Sequence, residues 1–129
     1  MVILISSENN FTGELDLVNN LFEAGMQVFH LRKPGLNTVE LREYLNGIRP
    51  GFLNKIVIHQ CYELFSEYNL KGIHIKDSAD SLHSARFWKK LKLDVNSCSW
   101  SRSFHEIDSL INCADDYDYC FLSPVFSSI

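Results

Sequence analysis

No apolar run in these 129 residues approaches the roughly 20 needed to cross a bilayer. The N-terminus, MVILISSENN, has neither a basic n-region nor a long h-region, so nothing reads as a secretory leader, and the expected compartment is the cytoplasm. Clustered positive charge is missing as well: Lys and Arg are scattered singly or in pairs, and the net charge is −4 with a pI near 5.7. Nucleic acid and anionic membranes need clustered cations to replace their counterions, so neither is expected as a partner. No two of Cys61, Cys98, Cys113 and Cys120 stand at C-x-x-C spacing, which leaves reduced, mostly buried thiols as the reading. No G-x-G-x-x-G follows the first strand and no Walker loop is present, so dinucleotide and P-loop nucleotide sites have no local support.

What is present is ordinary globular composition, 46% hydrophobic and 22% charged, in a length that suits one domain. The most telling stretch is QVFHLRKPG, residues 27–35. An apolar run ends on Arg32 and Lys33, and Pro34-Gly35 then breaks into a loop. Two cations at the C-terminal end of a buried strand in a parallel α/β sheet or barrel sit where ligands bind, and they suit an anion, most simply a phosphate.

The rest of the chain repeats that rhythm. Residues 2–5 read as a buried strand, and a helix follows with Leu15, Val18, Leu21 and Phe22 on one face, Thr12 as its cap and Gly25 just past its end. Asn37 with Glu40 three residues on opens a second helix through Leu41, Tyr44, Leu45 and Ile48, which Pro50-Gly51 ends. KIVIH at 55–59 is a third strand, a short helix spans about 62–68, and KGIHIK at 71–76 is a fourth strand. A polar loop at 77–80 leads to a helix carrying Leu82, Ala85, Phe87, Trp88 and Leu91, and a fifth strand is expected near 93–98. Ser103 with Glu106 reads as a capping box for a helix turning Ile107, Leu110 and Ile111 inward, and YDYCFL at 117–122 is the sixth strand. Six strand-then-helix units, the last without its helix, imply parallel strands joined by right-handed crossovers. Two more units would bring the length to about 200 residues, the lower end for a (β/α)8 barrel.

Taken together, HLRKPG, KGIHIK and DYCFLSPVFSSI resemble the thiamin phosphate synthases and the related thiazole tautomerases. Those families carry Q-[LF]-R-x-K, D-G-[IV]-H-[IL]-G-Q-x-D and A-D-Y-[VI]-x-x-G-P-[VI]-[FY]-x-T at the corresponding strand ends. The resemblance implies a (β/α)8 TIM-type barrel of which this chain holds about six strands as one domain, residues 1–129. It also implies a transferase that joins a hydroxymethylpyrimidine pyrophosphate to a thiazole phosphate, with Mg²⁺ on the departing pyrophosphate. Arg32 matches the family arginine, Ser123-Pro124 stands for the Gly-Pro and Ser128 for the phosphate-loop threonine. Pro34 occupies the family lysine position with Lys33 one residue early, and His59-Gln60 stands where the family has Asn-Asp.

The expected roles follow. Arg32, Lys33 and His59 are the candidate catalytic groups, His59 also reading as a structural histidine. Lys76, Arg102, Ser123, Phe126 and Ser128 are the candidate substrate contacts, Lys76 also reading as a solvated side chain. Asp77 and Asp80 are the candidate Mg²⁺ ligands, with Ala79 at the family's second aspartate position. Aligned through the capping box, the tautomerase S-x-H-S run puts Arg102 at its histidine, Ser103 as the following hydroxyl, and His105 on a helix pointing away. His74 is expected to hydrogen-bond within the core. The alternatives to a transferase are a tautomerase with His59 or His74 as base, and a non-catalytic binder of a thiamin precursor. The ligands are small phosphorylated heterocycles, and a homodimer is the oligomer left open. An isolated six-stranded piece would leave an unpaired parallel edge, so a longer gene product, or a second chain over that edge, is expected.

Overall fold

A computed structural model describes residues 1–76 and 98–123. They fall in two compact units, Met1–Lys71 and Gly72–Ile129. The predicted helix around Leu82 to Leu91, the loop with Asp77 and Asp80, and the segment holding Phe126 and Ser128 lie outside the described residues.

In the first unit β1 (Ile3–Ile5), β2 (Val28–Leu31) and β3 (Ile56–Ile58) are parallel, with Ile3 beside Val28 and Phe29 beside Ile56. β2 and β3 are wholly buried, as short Val/Ile-rich runs without alternation require. β1 departs from the expected buried strand: Leu4 and Ile5 are exposed, because its ladder among the described residues is with β2. Helix α1 (Glu14–Glu23) packs its Phe22 edge-on against Phe29, ring centres 6.1 Å apart. Its buried stripe is Glu14, Val18, Asn19 and Phe22, so a carboxylate sits inside where the sequence suggested leucines. Thr12 does not cap this helix; Gly13, at φ +84°, is the N-cap, a left-handed conformation that glycine adopts at no steric cost. Gly25, at φ +105°, ends it as predicted. Asn19 ties α1 to the chain beyond α2 (Thr38–Asn46), donating to the Gly47 carbonyl and accepting from the Arg49 amide. The Asn37/Glu40 capping box is formed in full. A 3-10 turn (Pro50–Lys55) leads into β3, and α3 (Glu63–Tyr68) ends on Asn69 in the left-handed region.

In the second unit β4 (Gly72–Ile75), β5 (Ser99–Phe104) and β6 (Tyr119–Leu122) are again parallel. A Cβ at Gly72 would lie 2.1 Å from the Ser99 carbonyl oxygen, so this close approach of two strands requires glycine. The fifth strand is later than predicted. Ser99, Ser101 and Ser103 alternate with Trp100, Arg102 and Phe104, a period of two that includes Ser103, which in the sequence reads as a helix cap. Ser103 is therefore a strand residue and caps nothing. Helix α4 (Ile107–Cys113) begins from Glu106 without a side-chain cap, and Ile107 and Ile111, predicted to face inward, are 59% and 70% exposed. The four cysteines are free, as expected, but half-buried rather than buried.

The α/β class and the parallel pairing within each unit thus hold. No helix among the described residues is long and apolar enough to cross a membrane.

Candidate functional site

The first unit brings the ends of β1, β2 and β3 together. β1 is extended past Ile5 by Ser6, whose amide donates to the His30 carbonyl. The Ser6 hydroxyl accepts from the Arg32 amide and donates to the Arg32 carbonyl. This fixes the Arg32 backbone while its side chain runs out to Glu8, Nη1 to Oε1 2.7 Å, in a half-exposed pair. Arg32 is therefore anchored at the strand end with its guanidinium at the surface.

Lys33 takes the opposite course. Phe29 meets α1, and by alternation Leu31 and Lys33 point the same way, into the layer between strands and helices. The ammonium is fully buried, 2.8 Å from Glu14 Oε1, with the Asn9 carbonyl at 3.1 Å, the Ser7 hydroxyl at 3.5 Å and the Tyr44 ring 5.7 Å away. Tyr44 donates its hydroxyl to the other Glu14 oxygen. Burial, then this bond to Glu14, holds the Tyr44 phenol far above its ordinary range. The cation read as a phosphate contact thus lies paired inside the fold. The cleft of about 490 Å³ beside it is lined by Glu14, Asp16, Glu40 and Glu43 with Phe11 and Tyr44, a negative surface unsuited to an anion.

On the other face stand His30, beside Val57 in register, and His59, two residues further along the chain from Val57. His30 Nδ1 and His59 Nε2 are 2.7 Å apart, and both rings are buried. Desolvation lowers the His30 pKa to about 4, so His30 is neutral near pH 7 and one ring donates while the other accepts. His59 is therefore placed as a buried partner of His30, a group the sequence reading did not weigh.

Gln60 follows. Its Nε2 donates to the carbonyls of Lys33 at 2.8 Å and Leu36 at 2.9 Å, clasping the loop after β2. Its Oε1 is buried and takes no hydrogen bond among the described residues. An aspartate cannot donate these bonds, so position 60 serves the loop, and a neutral amide is a poor partner for a hard cation. The described residues at this strand end do not fit a Mg²⁺ site, and Asp77 and Asp80 lie outside them.

In the second unit Lys76 follows β4, half-exposed, and Ser123 follows β6, exposed with its amide donating to the Phe104 carbonyl. Arg102 lies on the face of Trp100 and Phe104, its guanidinium 4.3 Å from the Phe104 ring centre and 5.8 Å from that of Tyr117. The opposite face carries Ser101 and Ser103, both bonded to His74. His105 is the first residue after β5, exposed in the loop before α4 rather than on that helix.

No family model matches the chain, and no curated protein matches it. Among solved structures it is similar to a thiamine phosphate pyrophosphorylase from Bacteroides thetaiotaomicron, at 28% identity and a TM-score of 0.77 over 96% of this chain. The chain spans 58% of that protein's length. The superfamily resemblance carried by the strand ends is thus matched by a likeness of fold.

Proposed function

We propose that this protein is a thiamin phosphate synthase-like enzyme that joins a hydroxymethylpyrimidine pyrophosphate to a thiazole phosphate. The observation that carries the proposal is the fold likeness to a thiamine phosphate pyrophosphorylase over nearly the whole chain. Such a reaction asks the protein for cations and donors aimed at departing charge rather than for covalent chemistry. Arg32, fixed through Ser6 and free to exchange Glu8 for an anion, meets the pyrophosphate. Lys76 after β4 and Ser123 after β6 are assigned to phosphate oxygens, with Phe126 and Ser128 assigned to the thiazole phosphate. Mg²⁺ would depend on Asp77 and Asp80. The test is thiamin phosphate formation from the two precursors, with and without Mg²⁺. Metal-dependent product that Arg32→Ala abolishes supports the reading; a folded protein that makes none defeats it.

A second reading, isomerisation of a thiazole carboxylate phosphate, is favoured by one specific observation. Because β5 runs to Phe104, the S-x-H portion of the tautomerase pattern falls on Ser103-Phe104-His105 rather than on Arg102. His105, in a loop at a strand's C-terminal end, is then the candidate acid/base histidine that the capping-box alignment lacked, with Glu106 at the last position of the run. Lys33 paired with Glu14 and an amide at position 60 weigh in the same direction, since isomerisation displaces no pyrophosphate.

A further inference from the structure

One face of the second unit is polar where a strand face of this kind is usually aliphatic. β4 contributes His74, β5 Ser99, Ser101 and Ser103, and β6 Tyr119 and Phe121; the register sets His74 beside Ser101 and Ser101 beside Tyr119. His74 and Ser101 are buried. The imidazole Nδ1 lies 2.8 Å from Ser101 Oγ and its Nε2 2.7 Å from Ser103 Oγ. Phe121 covers the ring at 5.3 Å between centres. Tyr119 hydrogen-bonds to Ser101 and Ser99, and burial keeps its phenol protonated above the ordinary range.

A buried neutral imidazole has one donor and one acceptor nitrogen to satisfy, and backbone groups can serve for both. Here both nitrogens face hydroxyls, and a hydroxyl can donate and accept. The ring is held by two bonds and packs against the tilted Phe121 ring, so it can exchange a proton with Ser103 without moving. Ser103 is half-buried, two residues before His105, at the end of the strand where ligands of parallel α/β folds bind.

We propose that Ser103 is a catalytic hydroxyl and His74 the positioning residue that takes its proton, with Ser101 orienting the imidazole. This rests on the isomerase reading. In the step, Ser103 Oγ takes a proton from the ligand as its own hydroxyl proton passes to His74 Nε2, while Nδ1–H stays donated to Ser101. The ligand is left with the electron pair and His74 as an imidazolium. Returning that proton through Ser103 to a different ligand atom completes the isomerisation and restores the protein's protonation. The arrangement is that of a hydroxyl, its base and a group orienting the base.

The experiment is proton exchange in D2O with the thiazole carboxylate phosphate, followed by NMR and mass spectrometry. The unaltered protein incorporates deuterium from solvent, and Ser103→Ala slows this about 100-fold or more, the lower end of a general acid–base contribution. Ser103→Thr, which keeps the hydroxyl, restores most of the rate. The ¹⁵N signal of His74 Nε2 shifts on adding ligand to the unaltered protein and not to Ser103→Ala, a signature a packing role would not produce. His74→Asn is expected to behave as Ser103→Ala; if it fails to fold, the serine pair decides. Exchange that survives Ser103→Ala within about twofold overturns the relay and leaves the isomerase reading standing. No exchange in the unaltered protein removes both.

Discussion

Replacing Glu14 with Gln tests the buried pair most directly. Lys33 is fully buried and Glu14 nearly so. The ammonium's partners are Glu14, the Asn9 carbonyl and the Ser7 hydroxyl, so all three of its hydrogens are engaged. Glu14→Gln keeps length and an acceptor for Tyr44 but removes the charge that offsets the ammonium. A buried charge that loses its partner costs about 3–5 kcal/mol, a large share of the roughly 5–15 kcal/mol by which domains are stable. For a chain of this size that is a fall in Tm of roughly 10–20 °C. Lys33→Met should cost a similar amount, leaving Glu14 ionised against Tyr44. The double variant E14Q/K33M removes both charges and retains an acceptor for the tyrosine, so it should cost less than the worse single change. Denaturant unfolding of all four proteins gives the coupling. Additive losses, or a Glu14→Gln loss below about 1 kcal/mol, would show that Lys33 is not held by this carboxylate.

Three further outcomes follow from the same geometry. The folded-state pKa of His30 is lowered from 6.5 to about 4, so the unfolded chain binds its proton first and stability falls as pH drops through that window. The loss is about 3 kcal/mol in full and about 2 kcal/mol between pH 7 and 4.5, measured as the shift in urea midpoint, and it should shrink in His30→Leu; an equal shift in both proteins refutes it. Tyr44 should stay protonated at pH values where exposed tyrosines ionise, and stability tied to it should be lost as pH rises above the ordinary phenol range. The difference in absorbance at 295 nm between the protein and Tyr44→Phe reads this as one phenol released with unfolding, and its release before unfolding is the contrary result. Gln60→Glu sets a carboxylate against the Lys33 and Leu36 carbonyls and should cost about 1–3 kcal/mol. Faster exchange of the Leu36 amide, which donates to Lys33, locates the damage, and unchanged exchange would show that the clasp does not hold the loop.

The features legible in the sequence are those decided within a few residues. Asn37 and Glu40 announce their helix because both bonds of the box are local. Gly25 is readable as a terminator because a left-handed residue is needed one turn past the stripe. The fate of Lys33 was hidden because its partners, Glu14 and Tyr44, are set by alternation along β2 and by which faces α1 and α2 present. Read from the sequence, Lys33 and Arg32 are one cationic pair; in the fold they point to opposite sides. β5 was misplaced because Ser103 with Glu106 reads as a capping box, when the period of two through Ser99, Ser101 and Ser103 was the stronger signal, and that error carried His105 with it. The exposure of β1 could not be read from four apolar residues, since burial depends on what lies beside a strand.

The Arg32–Glu8 pair has a consequence for affinity. An anion arriving at this strand end meets a guanidinium already matched by a carboxylate, so binding is an exchange of partners. The attraction gained is the difference between two anions at one cation, with Glu8 released to water. If Arg32 meets the pyrophosphate as proposed, it favours ligands that present two oxygens to its fork, which a single carboxylate oxygen at Nη1 does not satisfy. Such a site discriminates by the shape of the anion more than by its charge.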